Sequence, residues 1–212
     1  MRKAALFDLD GVIVDTEPCY TVFWQKIGAE YFPEDPDFAY KIKGHTLTYI
    51  LDRYFSKDSQ ERIQQLLEEH QQTMSYPLIA GVLPFVDALR SRGVGVAVVT
   101  SSDQAKMQGL YRQHPDFVSH FDRIFTAEDA LRSKPAPDCY IAAARYFGLE
   151  AAETVVFEDS FNGLEAGRKS GALVVGLTTS NTAAELRDRC DLTVADFQQP
   201  EVLLPLFGIM EK

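Results

Sequence analysis

The apolar positions of this chain fall into short runs separated by stretches with helical spacing. Ala4-Ala5-Leu6-Phe7 is an apolar run closed by acids and Gly11, the pattern of a buried strand that ends in a loop. Comparable runs recur at Val94–Val99, Arg123–Phe125, Thr154–Phe157, Ala172–Val175 and Leu192–Val194. Between them, Pro84–Arg90, Pro137–Phe147 and Phe161–Lys169 have helical spacing, with Pro84 expected at the first helical position, which favours proline. Alternating strands and helices imply parallel strands joined by crossover helices. The predicted fold is α/β, a doubly wound, Rossmann-like parallel sheet.

Residues 16–79 break this alternation and hold no clear strand. Thr16–Ile27 reads as a helix, with Thr16 as a candidate N-cap and Gly28 after it. Leu47, Ile50, Leu51, Tyr54 and Phe55 follow helical spacing. Asp58 and Glu61 resemble a capping box ahead of Ile63, Leu66, Leu67 and Met74, and Pro77 closes that helix. The expected organisation is a core domain of residues 1–15 and 80–212 with a helical cap of residues 16–79 inserted after the first strand. Hinges are expected near Asp15–Pro18 and Pro77–Gly81, and a short last helix after Pro200.

Composition narrows the function classes. The chain has 212 residues, 46% of them hydrophobic, enough to bury a core. A formal charge of -10 argues against binding nucleic acid or an anionic membrane. An anionic substrate would then need local positive charge from a lysine, a metal or backbone N–H groups. Cys19, Cys139 and Cys190 lie far apart, with no C-x-x-C pair for zinc or redox work. Asp8 and Asp10 inside the first apolar run rule out a signal peptide there, and no stretch approaches a membrane span of about 18 residues. The expected location is the cytosol.

Ligands of open α/β sheets bind at the carboxyl ends of the strands. Asp8 and Asp10, Thr100 with Ser101 and Ser102, Lys134, and Glu158 with Asp159 all fall at or just after such ends. A single Asp there is ordinarily a turn or helix cap. Acids, a hydroxyl and a lysine together are what phosphoryl transfer requires. A carboxylate nucleophile divides a very slow hydrolysis into two easier steps. A divalent cation in an oxygen-rich site relieves the repulsion between carboxylate and phosphate. A lysine and a hydroxyl hold the transferring oxygens, and a second acid handles the leaving group's proton.

These motifs resemble those of the haloacid dehalogenase superfamily. Asp8-Leu9-Asp10-Gly11-Val12 is similar to its first motif, Thr100-Ser101-Ser102 to its second, Lys134-Pro135 to its third, and Glu158-Asp159-Ser160 with Gly163 to its fourth. They occur in order across essentially the whole chain. The inserted helical section resembles the subfamily that contains β-phosphoglucomutase and many sugar-phosphate phosphatases. The resemblance implies Asp8 as nucleophile and Mg²⁺ ligand, and Asp10 as general acid/base whose backbone carbonyl binds the metal. It implies Asp159 as a further metal ligand and Glu158 as a ligand or a neighbour of one. Thr100 and Lys134 would bind phosphoryl oxygens, Ser101 would offer its backbone N–H, and a monomer is expected.

Lys43-Gly44-His45-Thr46 resembles the cap loop of this subfamily. Where the mutases carry an arginine, this chain has Leu47. Tyr20 stands at an early helical histidine, and Asp103 where a basic residue is common. Leucine cannot give a second phosphate the bidentate hydrogen bonds of arginine. The expected activity is therefore hydrolysis of small phosphate monoesters, sugar phosphates foremost, with Lys43 and His45 facing substrate. β-Phosphoglucomutase is the alternative. A signalling receiver domain would be about half as long and lack the insert, and a silent binding protein would have lost Asp8 or Lys134. Structural roles are expected for Ser102 (N-cap of a helix over Asp103–Tyr111), Ser160 (N-cap), His70, His114 (a solvated loop) and Trp24 (cap core), and a hinge or substrate role for Asp15 and Glu17.

Overall fold

The structure, a computed structural model, describes residues 2–209, the side chain of Ala105 excepted. Six parallel strands form one sheet: β1 (Ala4–Phe7), β2 (Gly95–Val99), β3 (Arg123–Phe125), β4 (Thr154–Glu158), β5 (Leu173–Leu177) and β6 (Leu192–Val194), in spatial order β3-β2-β1-β4-β5-β6. This is the doubly wound α/β fold that the strand and helix pattern predicts. The order reverses direction beside β1, so the carboxyl ends of β1 and β4 diverge into a crevice. Phe7 pairs with Phe157 there, and Asp8 N–H donates to the Phe157 carbonyl at 2.9 Å.

Both faces of the sheet are covered, so β1 is apolar at every position. Ala5 and Phe7 pack on one side with Val98, Phe157 and the helices α5 (Val82–Arg90), α6 (Gln104–Gln113) and α10 (Pro200–Leu203). Leu6 packs on the other with Val99, Val156 and the helices α7 (Asp138–Tyr146), α8 (Phe161–Ser170) and α9 (Ala183–Leu186).

Between β1 and α5 the chain forms α1 (Glu17–Tyr31), α2 (Phe38–Lys41), α3 (Leu47–Tyr54) and α4 (Lys57–Thr73). Phe23, Trp24, Ile27, Phe38, Ile50, Leu51, Phe55, Ile63 and Leu67 form a hydrophobic cluster of their own, separate from the two that flank the sheet. The two crossings into this helical unit lie side by side. Asp15 N–H donates to the Pro77 carbonyl at 2.8 Å, and Ile79 N–H donates to the Ile13 carbonyl at 2.8 Å.

Several local expectations are corrected. The first helix does not stop at Gly28 but runs to Tyr31, because Gly28 lets Phe38 pack close: a Cβ there would lie 3.2 Å from the ring. Thr16 makes no capping bond, since its hydroxyl is engaged elsewhere. The N-cap of α4 is Ser56, and no Asp58–Glu61 capping box forms. Pro84 sits inside the first turn of α5 rather than at its start, since the left-handed Gly81 begins that helix. All three cysteines are free thiols. No helix among the described residues is long and apolar enough to cross a membrane.

Candidate active site

The turn after β1 places two carboxylates with different surroundings. Gly11 has φ +69° there, and a Cβ on it would lie 2.1 Å from Asp159 Oδ2. Only glycine lets β1 and β4 bring their acids together here.

Asp8 is buried at the mouth of the crevice. Its Oδ1 accepts from Lys134 Nζ at 3.0 Å. The same ammonium donates to Glu158 Oε1 at 2.6 Å and to the Val99 carbonyl at 3.2 Å. Tyr140 on α7 donates its hydroxyl to Glu158 Oε1 at 2.8 Å, and Glu158 Oε2 accepts from the N–H groups of Asp159 and Ser160. One oxygen each from Asp8, Glu158 and Asp159 lies within 4.8 Å of the others. Burial and the Glu158 charge push the Asp8 carboxyl up to about 7, against the pull of Lys134. Burial, with Glu17, Glu158 and Asp8, also raises Asp159 well above the usual carboxylate range. Burial lowers Lys134, but Asp8 and Glu158 outweigh it and hold the ammonium charged. Three buried carboxylates facing one ammonium leave excess negative charge. That all-oxygen donor set fits a hard divalent cation such as Mg²⁺. The carboxylate of Asp10 is not part of this cluster, leaving its backbone carbonyl as the atom that could join.

Asp10 instead faces hydrogen-bond donors. Thr16 Oγ1 donates to Oδ1, Ser102 Oγ donates to Oδ2 at 3.0 Å, and Lys106 Nζ lies 2.5 Å from Oδ2. Burial would raise its pKa, but the Lys106 charge and these donors outweigh that and lower it. Sequence reasoning missed Lys106. The expected N-cap of this helix is Ser102, with Asp103 as the residue following the motif. Asp103 is the N-cap, accepting from Lys106 N–H at 2.9 Å, and the helix runs to Gln113. Ser102 is thereby free to reach Asp10, and one turn of helix carries the buried Lys106 side chain into the cavity, 4.1 Å over the Tyr20 ring. Its only sequence signal is a lysine among the apolar positions Met107 and Leu110.

Thr100 and Ser101 line the same cavity. Thr100 Oγ1 accepts from Ser102 N–H at 3.0 Å. The Ser101 hydroxyl reaches out of the sheet and donates to the Gly44 carbonyl at 3.0 Å. The loop at Lys43–Thr46 is held by two more core groups. Asn162 Nδ2 donates to the Lys43 carbonyl at 2.6 Å, and Ser133 Oγ accepts from Thr46 N–H at 2.9 Å. Lys43 and His45 both line the cavity. Lys43 Nζ lies 2.6 Å from Glu17 Oε2, so Glu17 also faces the cavity, while Asp15 is exposed. His45 stacks on Tyr49 at 4.1 Å, its buried Nδ1 has no hydrogen-bond partner among the described residues, and burial lowers its pKa.

The other residues given structural roles are also located. Ser160 caps α8, accepting from Gly163 N–H at 3.1 Å. His70 stacks on Phe23 at 5.3 Å. Trp24 is buried in the helical unit's cluster but also touches the cavity. His114 is not simply solvated, since its Nε2 lies 2.7 Å from the Tyr76 carbonyl.

The family model for haloacid dehalogenase-like hydrolases matches residues 5–177. The chain belongs to that family. The match begins in β1 and ends in β5, so it spans every motif in the cavity. Among its relatives, a phosphorylated carbohydrates phosphatase of Thermotoga maritima is 27% identical over 80% of this chain and 82% of its own. A β-phosphoglucomutase of Mycobacterium tuberculosis is 27% identical over 93% of this chain and 90% of its own. A hydrolase from Pseudomonas syringae has a similar fold, with a TM-score of 0.79 at 20% identity over 98% of this chain and 99% of that one.

Proposed function

We propose that this hydrolase-family enzyme is a Mg²⁺-dependent phosphatase of small phosphate monoesters, working through an aspartyl-phosphate on Asp8. The observation that carries this reading is one cavity that gathers residues from three strand ends. It holds Asp8, Asp10, Thr100, Ser101 and Asp159, with Lys134 bound to Asp8. Relatives named for phosphorylated carbohydrates agree with the substrate class, with sugar phosphates as the starting point. The enzyme acts as a cytosolic monomer on a free metabolite.

Asp8 attacks phosphorus, and the bond from phosphorus to the leaving oxygen breaks. Lys134 and the Thr100–Ser101 turn neutralise charge on the transferring oxygens. Asp8, Glu158, Asp159 and the Asp10 carbonyl would hold Mg²⁺, which supplies charge neutralisation between nucleophile and phosphate. Asp10 gives its proton to the leaving alkoxide, then takes one from the water that attacks the phosphorylated Asp8. Asp10 is ionised in its present surroundings, which suits the second half. An entering phosphate dianion raises its proton affinity and favours the acid form needed for the first half. Thr16, Ser102 and Lys106 keep its carboxylate aimed at the cavity throughout. The unit α1–α4 acts as a cap, with Lys43 and His45 facing substrate.

The test is phosphate release from a panel of sugar and small-molecule phosphates with Mg²⁺, beside Asp8→Asn and EDTA controls. Release lost in both controls is the expected result; equal release from Asp8→Asn would overturn the mechanism. One observation keeps a mutase reading in play. Lys106 brings a cation to the cavity although Asp103 follows the second motif. Formation of glucose 6-phosphate from β-glucose 1-phosphate, primed by the bisphosphate, would establish it.

A further inference from the structure

The cavity does not end at the catalytic groups. Its volume is about 110 Å³, and it extends from Asp8 and Asp10 into the helical unit. There Trp24, Ala39, Ile42, Leu47, Ile50 and Leu67 line it, beside the polar Glu17, Tyr20, Thr21, Lys43, His45 and Gln71. Of the six apolar residues, all but Leu47 are buried members of the helical unit's own apolar cluster, and Leu47 packs against it. The cavity beside Asp8 and Asp10 therefore has an apolar portion contributed by the helical unit.

Both cations that line the cavity already have carboxylate partners. The two lysines that line the cavity are Lys43 and Lys106. Lys43 lies 2.6 Å from Glu17 and Lys106 lies 2.5 Å from Asp10. His45, with its pKa lowered by burial, adds no charge near neutral pH. Gln71 donates to the Tyr20 hydroxyl at 3.2 Å, so these two polar groups are largely turned on each other. A second phosphate or carboxylate on the substrate would meet no unpaired cation among the described residues of this wall. A polyhydroxylated ring would set several hydroxyls against carbon, and a buried hydroxyl without a partner is costly. An apolar group placed against these side chains would lose only its contact with water.

Resting on the phosphatase reading, we infer that the preferred substrate is a monoester whose uncharged alcohol carries a short apolar segment, seated in the recess formed by Trp24, Ala39, Ile42, Leu47, Ile50 and Leu67. This narrows the site away from the fully hydroxylated sugar phosphates, and it makes the α1–α4 unit the selector of the leaving group.

The test uses the Mg²⁺-loaded enzyme with acetyl phosphate, straight-chain alkyl phosphates from methyl to hexyl, glycerol 3-phosphate and glucose 6-phosphate. The expected kcat/KM rises about fourfold per methylene until the recess is full, and butyl phosphate exceeds both hydroxylated esters. Ala39→Leu, which fills the recess, should lower the butyl-to-methyl ratio at least about tenfold. Leu67→Ala, which enlarges it, should move the optimum to a longer chain and keeps the test decisive if Ala39→Leu does not fold. A flat alkyl series, glucose 6-phosphate ahead of butyl phosphate, or a ratio unmoved by either variant would overturn the inference while leaving the phosphatase reading intact. No release from acetyl phosphate or any ester would instead refute the phosphatase reading, and this inference with it.

Discussion

Two aspartates two residues apart are treated in opposite ways. Asp8 shares burial with Glu158 and Asp159, and its carboxyl rises to about 7. Asp10 meets Lys106, Thr16 and Ser102, and its pKa falls. Both could be named from the motif, but Lys106 could not, because its relevance depends on which way a helix points it. If Lys106 positions Asp10, Lys106→Met should lower kcat/KM on alkyl phosphates by about 10- to 100-fold, part of the usual contribution of a general acid. p-Nitrophenyl phosphate should suffer much less, since its phenolate departs without a proton, and Lys106→Arg should recover part of the loss. Equal losses on both esters would show that Lys106 only supports the structure. Gly11 makes a second point at this scale. Its positive φ and a Cβ position 2.1 Å from Asp159 leave no room for a side chain. Gly11→Ala should lower Tm and reduce Mg²⁺-dependent phosphate release toward the level of Asp8→Asn; near-normal turnover would refute this.

At the level of elements, strands were more legible than helix ends. The central strands β1, β2, β4 and β5 are largely apolar on both faces because helices cover both faces, so they stand out without tertiary knowledge. Helix boundaries depended on neighbours. Gly28 reads as a stop in isolation, yet it is an interior position that lets Phe38 approach. Thr16 and Ser102 have the chemistry of caps, but Asp10 recruits both hydroxyls. The loop at Lys43–Thr46 meets two core loops, through Ser101 and Ser133, and the first turn of α8, through Asn162. At about 1 kcal/mol for each partly buried bond, removing two should favour an open cap. Ser133→Ala with Asn162→Ala is expected to raise KM by up to about thirtyfold, with a smaller effect on kcat. Steady-state kinetics with Mg²⁺ would check this, and an unchanged KM would mean that the cap's position does not depend on this contact.

For the molecule as a whole, the carboxylate cluster couples folding to pH and metal. The folded state raises Asp8 from 3.8 to about 7, so it keeps a proton that the unfolded chain has released. The stability this gives is fully present below about pH 4 and is lost as pH rises toward 7. Asp10, shifted the other way, acts below that window. His45, lowered from 6.5, opposes the trend in part. A divalent cation bound to the cluster would stabilise the folded state, and more so once protons no longer compete. Thermal melts should therefore show a Tm gain from Mg²⁺ that grows from pH 5 to pH 8. A gain independent of pH, or none, would count against Asp8, Glu158 and Asp159 as the metal ligands.

The sequence by itself determined the alternation of strands and helices, the helical stretch between β1 and α5 and the acids, hydroxyl and lysine of the motifs. Those features are local: they depend on periodicity and on residue types at strand ends, which survive without knowledge of neighbours. Only the tertiary structure decided that Lys106 reaches Asp10, that Tyr140 supports Glu158, and that apolar side chains of the helical unit line the cavity beside Asp8 and Asp10. Each of these is a meeting of side chains from elements far apart in the chain. No spacing rule encodes such a meeting, because it is set by how helices pack on the sheet and on each other.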